Sequence, residues 1–213
     1  MSFINVLAKL PIDLGQGQFC HTTKAKLIAF NYVPKNIADH TSLDVGCGDG
    51  HWSEKLKNIG YKTTSVDMNR TYPNVDWETP YKDTISIDLN KKLPFQNASF
   101  DLVWCSEVIE HLENPQAIVK EIERVVKPGG KYILTTPNSF FWLYYFLKLF
   151  GFSHKDWQNE GHKHFFHIRD IRKLFPQASI YGYFPYIIFK FKITRFISPL
   201  SPNFIIVGKK QDG

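Results

Sequence analysis

Leu43-Asp44-Val45-Gly46-Cys47-Gly48-Asp49-Gly50 is the stretch that decides the fold of this chain. A short apolar strand runs into three alternating glycines, and His51–Asn58 then reads as a helix closed by Gly60. Glycines in such a turn let the backbone approach a nucleotide-like ligand closely at the carboxyl edge of a sheet. A dinucleotide fingerprint would be GxGxxG, but His51 follows Gly50, so the third glycine is misplaced for it. Asp44 sits two residues before the first glycine. A carboxylate there repels a pyrophosphate and attracts a ligand bearing an ammonium or sulfonium group.

Outward from the loop, strand and helix patterns alternate. Ser42–Gly46, Lys62–Asp67, Thr84–Asp88, Phe100–Cys105 and Lys131–Thr136 read as strands. Pro115–Val126 reads as an amphipathic helix with Ile118, Val119, Ile122, Val125 and Val126 inward, stopped by Pro128-Gly129-Gly130. This alternation implies an α/β fold with a parallel sheet and helices on both faces. Ser179–Phe184 and Phe204–Lys209 read as a terminal pair of strands, and residues 1–40 as a helix or two ahead of the sheet. Without a repeat or a linker, residues 1–213 read as one domain. Asp67 ends the second strand, where a carboxylate can accept both hydroxyls of a ribose. Asp88-Leu89 ends the third, where an acid can receive an adenine amino group.

In this order the motifs resemble the class I S-adenosylmethionine-dependent methyltransferases, from about Ser42 to Asn138. LDVGCGDG is similar to that family's first motif and Val66-Asp67 to its second. Phe100–Leu112 is similar to its fourth-strand motif, and Val126-Lys127-Pro128-Gly129-Gly130-Lys131 through Pro137-Asn138 to its turn and fifth strand. The resemblance implies a Rossmann-like, seven-stranded, mostly parallel sheet with a reversed last strand, and S-adenosyl-L-methionine as cofactor. It implies that Gly46, Cys47 and Gly48 contact the cofactor, Asp67 the ribose, and Asp88 and Leu89 the adenine, with Ser106 lining the methyl-transfer site. Asp44, Asp49 and Met68, beside these positions, complete the expected cofactor set.

The residues just past the fourth strand bear on the acceptor. Enzymes that methylate base amino groups carry Pro-Pro-aromatic there, and this chain has Ser106-Glu107-Val108 instead. Its Glu-x-x-Glu-His run resembles the small-molecule O-methyltransferases, including those of ubiquinone biosynthesis. On a helix, Glu107, Glu110 and His111 would share a face and could hold a divalent cation, or the acids could simply cap the helix. The expectation is that no metal is used and that activity survives chelation. Gly161–Phe175 resembles the family's late motif, with His162 in its histidine position and His167 replacing the usual Ser or Thr helix cap. His162 and His111 are the catalytic candidates. His162 would act as a general base with a pKa near neutrality, against the alternative of a histidine that holds the loop. Histidines 162, 164 and 167 lack the helical spacing of a metal motif.

Composition bounds the partners. The chain has 26 Lys and Arg against 20 Asp and Glu, a formal net charge of +6 that favours anionic partners. Three scattered cysteines form no CxxC pair, and no signal peptide or spanning segment is read, so a cytoplasmic protein is expected. Aromatics crowd the last third, with 18 Phe, 10 Tyr and 5 Trp overall. Phe140–Phe150 and Pro185–Leu200 fall within segments 139–175 and 185–202, where this fold inserts substrate-side elements. They read either as a substrate lid or homodimer contact, or as contact with an anionic membrane surface. The leading function is methyl transfer to a hydroxyl of a lipid-like, quinone-like or glycolipid small molecule. A nucleic-acid or protein methyltransferase, with nucleic acid the less favoured partner, and a catalytically silent cofactor-binding subunit are the alternatives.

Overall fold

Strand β1 (Thr41–Val45) is buried over its last four residues because it lies between two parallel neighbours, β2 (Lys62–Asp67) and β4 (Phe100–Ser106). Leu43 and Val45 pack in the core on one face, while Ser42 and Asp44 on the other face are buried with hydrogen-bond partners in Thr63 and Ser53. The computed structural model describes residues 23–35, 39–68, 81–149, 151, 161–185 and 191–211. Beyond β2 lies β3 (Thr84–Ser86), and beyond β4 lies β5 (Val126–Pro137), all parallel. Strand β8 (Asn203–Lys209) then runs antiparallel between β5 and β6 (Ser179–Tyr183). The order β3-β2-β1-β4-β5-β8-β6 is completed by β7 (Lys192–Ile193), two residues paired antiparallel to β6. The reversed final strand is as expected, and with β7 the sheet has eight strands among the described residues, where seven were expected.

The sheet divides the core by the pleat of its strands. In β4, Val103 and Cys105 face one way, joining Leu43, Val45, Val66 and Leu134 under helix α3 (Pro115–Val125), which contributes Ile118, Val119, Ile122 and Val125. Leu102 and Trp104 face the other way and pack with Ile133 and Ile205 against α1 (Lys24–Phe30) and α2 (His51–Asn58). Those helices supply Ala25, Ala29, Trp52 and Leu56. Helix α3 starts on Asn114, whose side chain accepts from Ala117 N–H, with Pro115 in the first turn where no N–H partner is needed.

Two boundaries differ from the sequence reading. Helix α3 stops at Val125, before Pro128-Gly129-Gly130, because Val126 already pairs with Phe100; the Pro-Gly-Gly segment is the irregular start of β5, where the extra residues between Val126 and Lys131 stand opposite Asp101 of β4. Strand β3 ends at Ser86, leaving Asp88 in a turn where its Oδ1 accepts from the Asn90 N–H at 3.0 Å. An Asx turn competes with the ladder for that residue.

Leu102 is fully buried at the centre of the sheet. Leu102→Ala is expected to destabilise the fold by about 2–5 kcal/mol, read as a lowered urea midpoint with an unchanged slope.

Candidate active site

At the carboxyl edge, Gly46 N–H and Cys47 N–H both donate to the Val66 carbonyl, at 2.8 and 3.1 Å, which curls the loop over the end of β2. Gly46 has φ +73°, and a Cβ there would collide with the side chain of Val108, so only glycine fits. Gly48 N–H donates to Asp67 Oδ2 at 2.7 Å, drawing the loop and the second-strand acid together. Asp49 is exposed and uses Oδ1 to accept from His51 N–H at the start of α2.

Asp44 is buried beneath this loop. Its Oδ2 accepts from Ser53 Oγ at 2.6 Å, and Ser53 Oγ accepts in turn from Ser65 Oγ at 2.7 Å. Burial pushes the Asp44 carboxyl up to about 7; the Ser53 hydrogen bond opposes the shift and the nearby Asp67 charge adds to it. Among the described residues Asp44 has no ion pair, so a cationic ligand would relieve its desolvation.

The other expected cofactor residues line the same edge. Cys47 Sγ lies 3.2 Å from Thr84 Oγ1, and burial pushes its thiol up to about 12. Met68 is half-buried against the core, Leu89 is buried, and Ser106 Oγ lies 2.8 Å from Thr135 Oγ1. Asp88 is exposed, with Lys91 Nζ at 3.6 Å.

The acceptor side departs from the helical reading. Glu107 has φ +58°, so it turns out of the segment instead of opening a helix, and Ile109–His111 is a single 3-10 turn. The Glu107 carboxylate accepts from Thr135 Oγ1 at 2.7 Å and Asn203 Nδ2 at 3.3 Å, away from a shared face with His111. Glu110 is buried, and its Oε2 accepts from Thr136 Oγ1 at 3.0 Å. Its backbone carbonyl receives Lys163 N–H and His164 N–H, docking the late-motif loop onto the turn. That contact sets His162 against His111, ring centroids 4.7 Å apart. Burial, reinforced by His111, holds His162 down to about 4, well below the near-neutral base expected from sequence. His164 Nε2 lies 3.3 Å from the Glu113 carbonyl. His167 caps helix α5 (Ile168–Leu174): its Nδ1 accepts from Arg169 N–H while Asp170 accepts from the His167 N–H, so the imidazole does what a Ser or Thr would do.

Sequence reasoning missed the supporting groups Ser53, Ser65, Val108, Thr135, Thr136 and Asn203. Val108, Thr135 and Thr136 had a local signal, being inside the fourth- and fifth-strand motifs; the others are polar residues brought in by strand pairing and helix packing.

Residues 43–134 match the family model described as a methyltransferase domain. The match covers less than half of the chain and coincides with the stretch that resembles the class I S-adenosylmethionine-dependent methyltransferases. A ubiquinone biosynthesis O-methyltransferase of Xanthomonas oryzae pv. oryzae is 33% identical over 108 residues, covering 48% of this chain and 45% of that protein. One from Pseudomonas paraeruginosa is 34% identical over 107 residues, covering 48% and 46%. The chain thus matches about half the length of these curated relatives. The fold is shared with a methyltransferase structure from Thermotoga maritima, with a TM-score of 0.64, 16% identity and 88% of both chains covered. A Mesorhizobium loti methyltransferase gives 0.62 at 14% identity, covering 87% of this chain and 97% of that one. The cofactor of this methyltransferase domain is S-adenosyl-L-methionine, whose sulfonium and ammonium charges suit the buried Asp44 carboxylate beside the glycine loop.

A cation stabilises ionised Asp44, so binding must release a proton wherever Asp44 was protonated. Cofactor affinity should be full above pH 7 and should fall as pH drops below it, by up to about tenfold per pH unit for one proton. Calorimetry across pH should show this slope, and Asp44→Asn should flatten it.

Proposed function

We propose that the protein transfers the methyl group of S-adenosylmethionine to a hydroxyl of a lipid-like, quinone-like or glycolipid small molecule. The observation that carries this reading is the apolar surface at the edge where the cofactor loop lies. Helix α4 (Trp142–Lys148), entered directly from the end of β5, buries Phe141 and Tyr144 at its start but exposes Trp142, Tyr145, Phe146 and Leu149. Asn138 ties this junction to the other aromatic segment, donating through Nδ2 to the carbonyls of Ser198 and Ser201 at 2.6 Å. A small apolar acceptor suits such a wall. The curated relatives, named for O-methylation in ubiquinone biosynthesis, support the same chemical class.

In this reading the backbone of Gly46, Cys47 and Gly48 cradles the cofactor, with Asp44 beneath it and Asp49 at its rim. Asp67 and Met68 take the ribose, Asp88 and Leu89 the adenine end, and Ser106 borders the methyl group. His111 and His162 stand on the acceptor side. Methyl transfer from a sulfonium is an in-line displacement, so holding acceptor and methyl in line supplies much of the rate.

The test is calorimetry followed by a labelled-methyl screen of lipid extracts. S-adenosylmethionine should bind saturably, S-adenosylhomocysteine should compete, and NAD should not. Asp67→Ala should weaken binding by about 1.5–3 kcal/mol, through loss of a charged acceptor. Well-folded protein that ignores S-adenosylmethionine would refute the reading.

The exposed aromatic wall also favours peripheral contact with an anionic membrane. Among the described residues no helix is long and apolar enough to cross one. Phe146 and Leu149, 48% and 81% exposed, lie beside Lys148. Vesicle binding should increase with anionic lipid, weaken with salt, and be lost in Phe146→Glu/Leu149→Glu while cofactor affinity stays. Wild type that ignores anionic vesicles at low salt would make the wall a substrate lid or dimer contact.

A further inference from the structure

Helix α2 begins on Gly50, which has φ +78° and no side chain to cap the first turn. A Cβ at Gly50 would overlap the ring of Tyr81, so the phenol fills the space where any other side chain would begin. Thr84 N–H donates to the Tyr81 carbonyl at 2.9 Å, which makes residues 81–84 one tight turn ahead of β3. At the other end of that turn Thr84 Oγ1 lies 3.2 Å from Cys47 Sγ. The turn therefore meets the glycine loop at Cys47 and again at Gly50, with Gly48 and Asp49 between the two contacts.

We propose that Tyr81 is a positioning residue for S-adenosyl-L-methionine, its ring holding the helix end of the glycine loop in the shape that the cofactor binds. The strand end of the loop is held by Val66 and Asp67. At the helix end the hydrogen bonds are local, from Gly50 N–H to the Cys47 carbonyl and from His51 N–H to Asp49. Tyr81 supplies an external contact there. A loop already ordered spends less of the ligand's binding energy on ordering itself.

The hydroxyl fixes the ring's direction. It donates to Glu54 Oε1 and accepts from Lys57 Nζ at 2.6 Å, both on α2. Lys57 also reaches Asp83 Oδ2 at 2.7 Å, inside the turn that carries Tyr81. The Lys57 and Asp83 side chains are 30% and 49% exposed, and ion pairs so placed contribute little net stability. Their effect is to hold the turn, the ring and the helix start in one arrangement. Loss of the ring should accordingly appear in cofactor affinity more than in stability.

Calorimetric titration of S-adenosylhomocysteine into wild type and variants tests this, with thermal unfolding measured alongside. Tyr81→Ala should weaken binding about tenfold, the scale of ordering one or two groups on binding, and lower Tm less than Leu102→Ala does. Leu102→Ala, opposite Ser42 at the far end of β1, should bind as wild type despite its lower stability. Tyr81→Phe keeps the ring and should recover most of the affinity. Gly50→Ala carries the same left-handed backbone cost in either background, so only the overlap with the ring can differ between them. It should cost at least about threefold more affinity in wild type than in Tyr81→Ala, as contacting residues couple. Folded Tyr81→Ala that binds like wild type, or Gly50→Ala with equal cost in both backgrounds, would overturn the positioning role alone. Wild type that ignores S-adenosylhomocysteine would overturn it together with the cofactor assignment on which it rests.

Discussion

Burying the Asp44 carboxylate at the end of a central parallel strand is the constraint around which the rest of the edge is arranged. A charge in that position cannot be solvated, so the surroundings must supply what water would. Ser53 from α2 does part of this, and Ser65 from β2 orients Ser53, so one strand, its neighbour and the helix between them are fixed by one carboxylate. The loop above must stay thin enough for a ligand to reach that group, which requires glycine at Gly46 against Val108. The Gly48–Asp67 hydrogen bond then sets the second acid beside the first. Two carboxylates so placed repel each other, and the pair is better suited to a cationic ligand than to an empty, dry pocket.

The same edge solves a different problem at β4 and β5. There the polar residues Ser106, Thr135 and Thr136 lie in strands buried on both faces, and each hydroxyl finds a partner within this pair of strands or in the turn after β4. Glu107 and Glu110 are close enough to disfavour each other's charge, and burial raises Glu110 well above the usual carboxylate range. Different partners separate them: Glu107 goes to Thr135 and Asn203, Glu110 to Thr136.

The sheet was legible in the sequence because short segments rich in apolar and β-branched residues, such as Phe100–Ser106, are bounded by turn residues, and the glycine turn marks where the first of them ends. The Lys62–Asp67 strand and the His51–Asn58 helix fall where their patterns place them. Side-chain competition was not legible. Asp88 leaves its strand for an Asx turn, and Glu107 adopts a left-handed backbone held by side chains on β5 and β8. Spacing rules assume that a run such as Glu-x-x-Glu-His is helical, and two distant strands decide otherwise here. His162 illustrates the same point. Its depressed pKa comes first from burial under a loop docked by backbone hydrogen bonds and then from the His111 ring, distant in sequence, neither of which has a local signature.

The family match ends at Leu134, inside β5, a few residues before the chain enters the aromatic wall and the docked histidine loop. Inheritance can therefore treat the two stretches differently. The first, which handles a donor common to many reactions, is held by mutual hydrogen bonds that a single replacement would break. The later stretch meets it through the backbone ladder of β5 and β8 and, on the acceptor side, through contacts that include Glu107 with Asn203 and the Glu110 carbonyl with Lys163 and His164. Most of these bonds use backbone amides, which any non-proline residue supplies. Side chains there are free to drift or be exchanged among descendants, so new acceptors can evolve on an old donor site.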